Sequence, residues 1–266
     1  MPSSLVLIRY QKDIIVSEKL LKSTKNVFLA KVGCTRSWNS NKSQGFLVIV
    51  DNLMNLELLF KAWQLSGNKT FYNIAVLHAN RTLKEHIRND GSSFHVVSFN
   101  EATGNVIRKY TAEGYADWST WTQGQSWAIA GFTIAYRYTK LKYFLNAAES
   151  VSKYYIDRLP TDYIAPWDFS VPHDSKHLYI PRDTASASIA ASGLLELYNH
   201  TKKNQYLDVA TKILQSLSSA KYRADGNPKY KLPALLANGS TDGHNYDKAY
   251  VFGDYYYIKS MSYFLK

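Results

Sequence analysis

Three stretches of the sequence share one pattern, and this pattern limits the possible folds more than any other feature. In each stretch apolar residues recur at helical spacing, a short polar or glycine-bearing turn follows, and a second helical pattern begins. The second helices open with an aromatic residue and small apolar residues, at 71–75, 143–148 and 206–210. The unit recurs after about sixty to seventy residues, which is longer than the short solenoid repeats. It is therefore a helical hairpin followed by a long loop.

The periodicity also predicts where the helices lie. The predicted helices occupy 13–26, 52–65, a stretch from after the turn at 66–68 to about 89, 122–138, 142–159, 184–200, 205–219, and about 253 onward. Hairpins whose long loops all emerge at one end predict an all-α toroid with its active face on those loops. Leu5, Val6 and Ile8 are apolar with nothing before them to pack against, so we expect them near an open edge of an incomplete ring.

Asp51 lies at the junction between an apolar run and a helical pattern. The run occupies 46–50, and the apolar residues after it fall at helical spacing. A carboxylate at the start of a helix is favoured by the unpaired N–H groups and by the helix dipole, so one interpretation is a structural N-cap. The other is functional, because a carboxylate on a short loop at the end of a half-buried helix is well placed to line a cavity.

The long loops carry the other candidate residues. His95 lies in an alternating stretch, 94–99, that predicts a strand with a hairpin turn at 103–105. Trp121, Gln123 and Trp127 open a helix at the edge of a loop, where aromatic planes and amides suit sugar rings and hydroxyls. Ordinary packing by the two tryptophans, with Thr122 as the helix cap, is the structural alternative.

Further along the chain, Asp183 or Thr184 can cap the helix that begins there. The run of alanine and serine after these residues allows close helix packing, so the structural interpretation is favoured for this segment.

The net charge of +11 favours anionic partners, which include nucleic acid, a membrane surface and acidic carbohydrate. The lysines and arginines are scattered, however, and no nucleic-acid-binding motif is present. Cys34 is the one cysteine, so an intrachain disulfide is excluded. No signal peptide or membrane-length apolar run is seen, and the compartment stays open. Without a metal-ligand cluster, P-loop or Rossmann fingerprint, we expect neither metal nor cofactor.

Five motifs in a fixed order resemble those of glycoside hydrolase family 88, the unsaturated glucuronyl hydrolases. They lie at 51–59, 123–129, 167–169, 181–187 and 253–256. The resemblance extends from near residue 10 to the C-terminus and implies an (α/α)6 six-hairpin toroid. It also implies a single domain over 1–266 that is truncated at its N-terminus and lacks its first hairpins. The second acidic residue of the family's site is missing together with those hairpins.

The resemblance further implies a reaction and a set of roles. The family hydrates the C4=C5 double bond of an unsaturated uronic acid at the non-reducing end of an oligosaccharide, and no cofactor takes part. Asp51 matches the residue that acts first as general acid and then as general base. His95 matches a histidine near the sugar, and Trp121 and Trp127 match aromatic positions of the pocket. The implied partner is an unsaturated uronyl oligosaccharide, with neither nucleic acid nor membrane.

Two positions depart from the family pattern. Glu113 stands where the family usually has glutamine, and Gln123 where it usually has arginine. An arginine would pair with the substrate carboxylate, whereas a glutamate repels it. Together with the missing acidic residue, which should matter most, these departures lead us to expect that the chain is weakly active or inactive. The alternatives are an unsaturated rhamnogalacturonyl hydrolase and a catalytically impaired remnant that binds uronate oligosaccharides. We expect Asp51, His95, Glu113, Gln123 and Trp127 to converge on one cavity.

Overall fold

A computed structural model describes residues 27–38, 44–225, 227–230 and 233–265. Within these ranges the chain forms seven α-helices. They are α1 (Leu56–Ser66), α2 (Lys69–His86), α3 (Thr122–Thr139), α4 (Lys142–Ile156), α5 (Thr184–Thr201), α6 (Asn204–Leu217) and α7 (Val251–Met261). The predicted helical hairpins are confirmed as α1–α2, α3–α4 and α5–α6. The predicted helix over 13–26 and the residues Leu5, Val6 and Ile8 lie outside the described ranges.

The helices form two layers. Helices α1, α3, α5 and α7 pack side by side in chain order, and α2, α4 and α6 each pack outside their own hairpin partner. Because α3 and α5 have neighbours on nearly every side, almost all of their residues are buried. This arrangement confirms the all-α toroid architecture, and the seven described helices are fewer than a complete ring of six hairpins contains. None of these helices is long and apolar enough to cross a membrane.

Small residues allow the inner helices to approach one another closely. A Cβ atom added at Gly131 of α3 would overlap the Cβ of Leu53, and one at Gly193 of α5 would lie 2.9 Å from Ile129 Cγ2. These spacings are too short for any larger residue without movement of the backbone. The packing of α3 against the segment 50–55 therefore depends on Gly131.

A small antiparallel sheet packs beside the helices. Its strands are β3 (Phe46–Ile49), β4 (Val96–Phe99) and β5 (Val106–Tyr110), in that order across the sheet. A separate pair, β1 (Phe28–Leu29) and β2 (Cys34–Thr35), precedes it. The β4–β5 hairpin was predicted from the alternation at 94–99, and Gly104 in its turn has a φ of +76°. The pairing of β3 with β4 was not predicted, although it positions the site described below.

Two of the predicted helix caps are wrong. Asp51 lies inside a 3₁₀ helix, Val50–Asn55, whose N-cap residue is Ile49, and α1 begins only after Asn55. Neither start has a side-chain cap. Helix α3 likewise begins after Trp121 without a side-chain cap, and the Oγ1 atom of Thr122 has no partner.

The third predicted cap is confirmed. Asp183 caps α5 by accepting a hydrogen bond from the N–H of Ala185 at 3.0 Å. The Asp51 carboxyl is therefore free of the capping role that its position in the sequence suggested.

We predict that Gly131→Ala lowers the free energy of unfolding by about 2 kcal/mol, because the new Cβ forces α3 away from Leu53. Gly253→Ala in α7 is the matched control, since its Cβ would lie 3.2 Å from Ala185 and needs only a slight shift. In the control, the gain in helix propensity offsets this shift. Urea unfolding of both variants measures the difference, and equal stabilities would contradict the close-packing argument.

Candidate active site

The pairing of β3 with β4 brings Asp51 and His95 together. Ile49 lies opposite Val96 in the ladder, and the N–H of Val50 donates to the carbonyl oxygen of His95 at 3.0 Å. Asp51 directly follows Val50, and His95 directly precedes Val96, so both lie at the same end of this strand pair. As a result, His95 Nε2 lies 3.8 Å from Asp51 Oδ2, although the two residues are far apart in the sequence.

The hydrogen bonds of His95 define its tautomer. Its Nδ1 atom accepts a hydrogen bond from the backbone N–H of Ala112 at 3.3 Å, so Nδ1 carries no proton. Burial, aided by the nearby His86, lowers the pKa of His95 to about 3, and the ring is neutral at physiological pH. A neutral ring without a proton on Nδ1 must carry one on Nε2. His95 therefore presents an N–H donor toward Asp51.

The environment of Asp51 favours its protonated form. Burial raises the pKa of the carboxyl to about 7, its own backbone N–H opposes the shift, and the negative charge of Glu113 adds to it. The side chain is 19% exposed, yet Oδ2 is shielded from solvent and has no hydrogen-bond partner. One edge of the carboxyl is thus open to a ligand, while the protein leaves Oδ2 unsatisfied.

Asp51 and His95 do not form an ion pair, despite their proximity. His95 stays neutral above a pH of about 3, and Asp51 keeps its proton up to a pH of about 7. A carboxyl group that titrates near neutral pH can donate a proton and later accept one, which is what general acid–base catalysis requires. The adjacent N–H of His95 can hold a hydroxyl or carboxylate oxygen of a ligand in place.

The indole of Trp121 packs against the imidazole ring of His95. Its ring stacks on His95 with the centroids 4.3 Å apart, and its Nε1–H donates to the carbonyl oxygen of Thr241 at 2.8 Å. Trp121 also forms an isolated bridge with Asp168. The indole is buried against the imidazole, so its main effect is to fix the plane of the His95 ring.

Two residues that hold the segment before Trp121 were not identified as functional candidates from the sequence. Asp168 accepts hydrogen bonds from Ser119 Oγ at 2.6 Å and from the N–H of Tyr115 at 3.0 Å. Arg88 donates to the carbonyl oxygens of Trp118 and Ser119, each at 3.0 Å. Together these bonds hold the segment that leads into Trp121. Asp168 is part of the motif at 167–169, which could have signalled its importance, whereas no pattern marks Arg88.

Glu113 lies beside the Asp51–His95 pair and lines a cavity of about 510 Å³, which we call the carboxylate-lined cavity. Asp242 lies in the same wall. The pKa of Glu113 is raised mainly by burial and, to a smaller extent, by the negative charge of Asp242. Aromatic side chains and two histidines complete the lining, with Tyr115, Trp167, His177, Tyr179 and His244 among them. A cavity of this size with flat apolar faces and polar groups suits one or two sugar rings.

Gln123 and Trp127 lie one turn apart on α3, and both are buried. The residue after Gln123, Gly124, faces Val50 and Trp121, so the first turn of α3 lies directly behind the Asp51 segment. Trp127 packs in an apolar cluster with partners that include Tyr256, whose ring centroid is 5.3 Å away. Of the five residues expected to share one cavity, only Glu113 lines the carboxylate-lined cavity; Asp51, His95, Gln123 and Trp127 are not among its lining residues.

The structure thus brings Asp51, His95 and Trp121 into one group and places Glu113 next to it. Gln123 and Trp127 lie on the adjoining face of α3. Among the residues that the structure describes, no three histidine, cysteine, aspartate or glutamate side chains are placed to hold a metal ion.

Comparisons with known proteins define what the chain is related to. No protein-family model matches it. It is 40% identical over 259 residues to an unsaturated glucuronyl hydrolase of Formosa agariphila, covering 95% of this chain and 63% of the relative. It is 29% identical to an unsaturated chondroitin disaccharide hydrolase of Streptococcus pneumoniae, covering 100% and 68%. The crystal structure of an unsaturated glucuronyl hydrolase specific for heparin superimposes with a TM-score of 0.82 at 34% identity, covering 89% and 64%.

The fold and these matches together define an α/α-toroid protein that is similar to unsaturated glucuronyl hydrolases and unsaturated chondroitin disaccharide hydrolases. These matches confirm the resemblance to the unsaturated glucuronyl hydrolases of glycoside hydrolase family 88 that the motifs predicted. The chain spans less than two thirds of the length of the Formosa relative.

We predict that Asp51→Asn stabilises the fold at pH 8 by about 2–4 kcal/mol and has almost no effect at pH 4. The pKa of Asp51 is about 7 in the folded chain and near 3.8 in the unfolded chain. Between these values only the unfolded state loses the proton, so the carboxyl destabilises the fold progressively as the pH rises to about 7.

Asp162→Asn is the matched control for this prediction. Burial alone would raise the pKa of Asp162, but bonds from Tyr222 and Lys221 and the charge of Arg182 outweigh it and lower the pKa. This carboxylate stabilises the fold above its unfolded pKa, and its loss lowers stability at pH 8. Urea unfolding at both pH values measures the two effects. Destabilisation by Asp51→Asn at pH 8 would show that its carboxyl is satisfied in the fold.

Proposed function

We propose that this chain carries the catalytic site of a glycoside hydrolase that acts on oligosaccharides with an unsaturated uronic acid at the non-reducing end. The observation that carries the proposal is Asp51, a buried carboxyl with a pKa of about 7 and an open edge, facing the N–H of neutral His95. Such a group can protonate a weak carbon base near neutral pH, which an ordinary solvated aspartate does poorly.

In the proposed mechanism, the Asp51 carboxyl donates its proton to C4 of the C4=C5 double bond, which is part of a vinyl ether. Positive charge then develops at C5 and is shared by the ring oxygen. The Asp51 carboxylate next accepts a proton from a water molecule that attacks C5, and this returns the carboxyl to its starting state. The resulting hemiketal opens, and the rest of the oligosaccharide leaves. One group thus serves both steps, which its pKa near neutrality supports.

His95 and Trp121 have positioning roles in this proposal. The Nε2–H group of His95 donates to an oxygen of the unsaturated sugar, and Trp121 stacks on His95 and keeps its ring in that orientation. The leaving sugar occupies the carboxylate-lined cavity beside Glu113. We assign Gln123 and Trp127 to the wall behind the unsaturated ring, since they follow Trp121 on α3.

Glu113 has two opposing effects. Its charge helps to keep Asp51 protonated, but the same charge repels the substrate carboxylate. Gln123 supplies no positive charge to offset this repulsion. We therefore expect slow turnover with a high KM.

Two other proposals concern alternatives and domain organisation. An unsaturated rhamnogalacturonyl hydrolase is not favoured, since the relatives are named as glucuronyl and chondroitin disaccharide hydrolases. A catalytically impaired binder remains the contrasting class and is tested below.

We also propose a single domain, because one apolar core joins all the hairpins from Val50 to Tyr257.

We predict that the chain consumes an unsaturated uronyl disaccharide, followed as loss of the ultraviolet absorbance of the double bond. Asp51→Asn should lower kcat about 10²- to 10⁴-fold, because it removes the acid and base. Gln123→Arg should lower KM about tenfold by a charge-assisted bond to the substrate carboxylate. Binding of the disaccharide without any loss of absorbance, in the chain and in Gln123→Arg alike, would instead identify an inactive binder.

We predict that Glu113→Gln moves the alkaline limb of the kcat profile to lower pH. The negative charge of Glu113 raises the pKa of Asp51, so its removal lowers that pKa and the acid is lost earlier as the pH rises. KM should fall as well, since the repulsion disappears. Glu101→Gln on the exposed turn after β4 is the matched control and should leave the profile unchanged. An unshifted limb in Glu113→Gln would remove Glu113 from the electrostatics of the site.

A further inference from the structure

A second concave surface adjoins the carboxylate-lined cavity. It has a volume of about 340 Å³, and we call it the cationic cleft. Its lining includes His173, Tyr179, Arg182, Lys221 and Asn238. No carboxylate is among the described residues that line it, whereas Glu113 and Asp242 line the neighbouring cavity. The two adjacent surfaces therefore differ in charge.

A shared wall connects the two surfaces. Two extended segments run side by side there, with a bridge between Pro166 and Arg182 and a hydrogen bond of 2.9 Å from the N–H of Trp167 to the carbonyl oxygen of Pro181. Side chains alternate along extended segments, so Trp167 and Pro181 line the carboxylate-lined cavity while Pro166 and Arg182 line the cationic cleft. Tyr179 lines both, and a ligand that passes over its ring reaches from one to the other.

The positive charge of the cleft is only partly balanced. Arg182 Nη2 lies 3.4 Å and Lys221 Nζ lies 3.0 Å from the carboxylate of Asp162. This single carboxylate also accepts a hydrogen bond from the hydroxyl of Tyr222 at 2.7 Å. Two permanent cations therefore share one anion, which leaves an excess of one positive charge at the cleft.

Asp247, a carboxylate beside Tyr179 of the cleft, has its own partner. Asp247 accepts a hydrogen bond from the hydroxyl of Tyr179 at 3.3 Å, and Lys229 pairs with it at 2.9 Å. It therefore does not neutralise the excess charge of Arg182 and Lys221.

We propose that the cationic cleft is a distal subsite that binds an anionic group on the third sugar of the substrate, counted from the unsaturated end. The inference rests on the proposed function, which places the unsaturated sugar at Asp51 and the second sugar in the carboxylate-lined cavity. Glu113 and Asp242 disfavour an anionic second sugar, while Arg182 and Lys221 favour an anionic third one. The charge order thus fits an oligosaccharide in which acidic and non-acidic sugars alternate.

The anionic group is a carboxylate or a sulfate, and the same cations would bind either. Tyr179 gives the chain of sugars a flat surface to cross, because it is largely exposed and its ring packs against Tyr246 at 5.7 Å. The ligand class is therefore an unsaturated tetrasaccharide, or a longer oligosaccharide, with a uronate or sulfated sugar at the third position.

The test measures binding by calorimetry with tetrasaccharides whose terminal double bond has been reduced, so that no reaction occurs. One has a uronate as its third sugar, one has the same carboxyl reduced to an alcohol, and one carries a sulfate there. We expect the chain to bind either anionic form about threefold to tenfold more tightly than the neutral form, with a preference that falls as salt rises. The anionic tetrasaccharide whose affinity exceeds that of the neutral form by the larger factor identifies the preferred anion.

Two variants change the charge of the cleft in opposite directions. Lys221→Gln removes the excess charge and should weaken binding of the anionic tetrasaccharide about threefold to fivefold, because ion pairs at an exposed rim contribute little more. Asp162→Asn leaves two unbalanced cations and should strengthen it. Lys153→Gln is the matched control, since Lys153 is also an exposed lysine paired with one carboxylate, Asp157, but lies on α4. It should bind all three ligands as the parent chain does.

Equal binding of the charged and neutral tetrasaccharides, or no change in Lys221→Gln, would overturn the distal subsite. These results do not depend on turnover, so they separate failure of the subsite from failure of the proposed reaction. If the disaccharide assay shows no reaction but the charge preference and the Lys221 effect are present, the cleft is a binding site of a non-catalytic chain. If turnover occurs without any charge preference, the reaction stands and the subsite is rejected.

Discussion

The antiparallel pairing of β3 with β4 is the contact on which the candidate site depends. It places the residue that precedes β4 beside the residues that follow β3, and so sets the 3.8 Å separation of His95 and Asp51. His86 strengthens this arrangement from α2. Burial lowers its pKa to about 4, so its neutral ring donates from Nε2 to the carbonyl oxygen of Val48 in β3 at 3.0 Å. A short sheet thus joins the outer helix to the catalytic candidate.

The same burial that organises the site has a cost for the fold. A carboxyl with an unsatisfied Oδ2 and a pKa near 7 destabilises the folded chain whenever it is ionised. Close packing of the inner helices opposes that cost, since Gly131 and Gly193 let α3 and α5 exclude nearly all solvent from their faces. Active sites are commonly less stable than they could be, because function needs a group in an unfavourable state.

Charge is distributed unevenly over this basic chain. The net charge is +11, yet Glu113 and Asp242 line the cavity next to Asp51. Positive charge in excess of its counter-ions appears one step further along, at Arg182 and Lys221. The total charge therefore favours anionic ligands in general, whereas the local order of charges sets where the proposed oligosaccharide substrate can carry an anionic group. Under the proposed function, this order links the departures at Glu113 and Gln123 to substrate choice rather than to loss of function alone.

Local patterns in the sequence determined the hairpins, the β4–β5 turn, the Asp183 cap and, through its motifs, the family. These features depend on residues close together in the chain, where helical periodicity and turn chemistry act directly. They did not determine the role of Asp51 at its helix start, because nothing local distinguishes a capping carboxylate from one left unpaired in a 3₁₀ segment.

Only the tertiary structure decided the remaining features. The β3–β4 pairing, the tautomer of His95, the bonds of Asp168 and Arg88, and the two oppositely charged surfaces all join residues that are distant in sequence. The pKa of Asp51 belongs to this group as well, since burial by several separate segments raises it. A sequence specifies which groups can ionise, but their surroundings in the folded chain set the charge that each one carries.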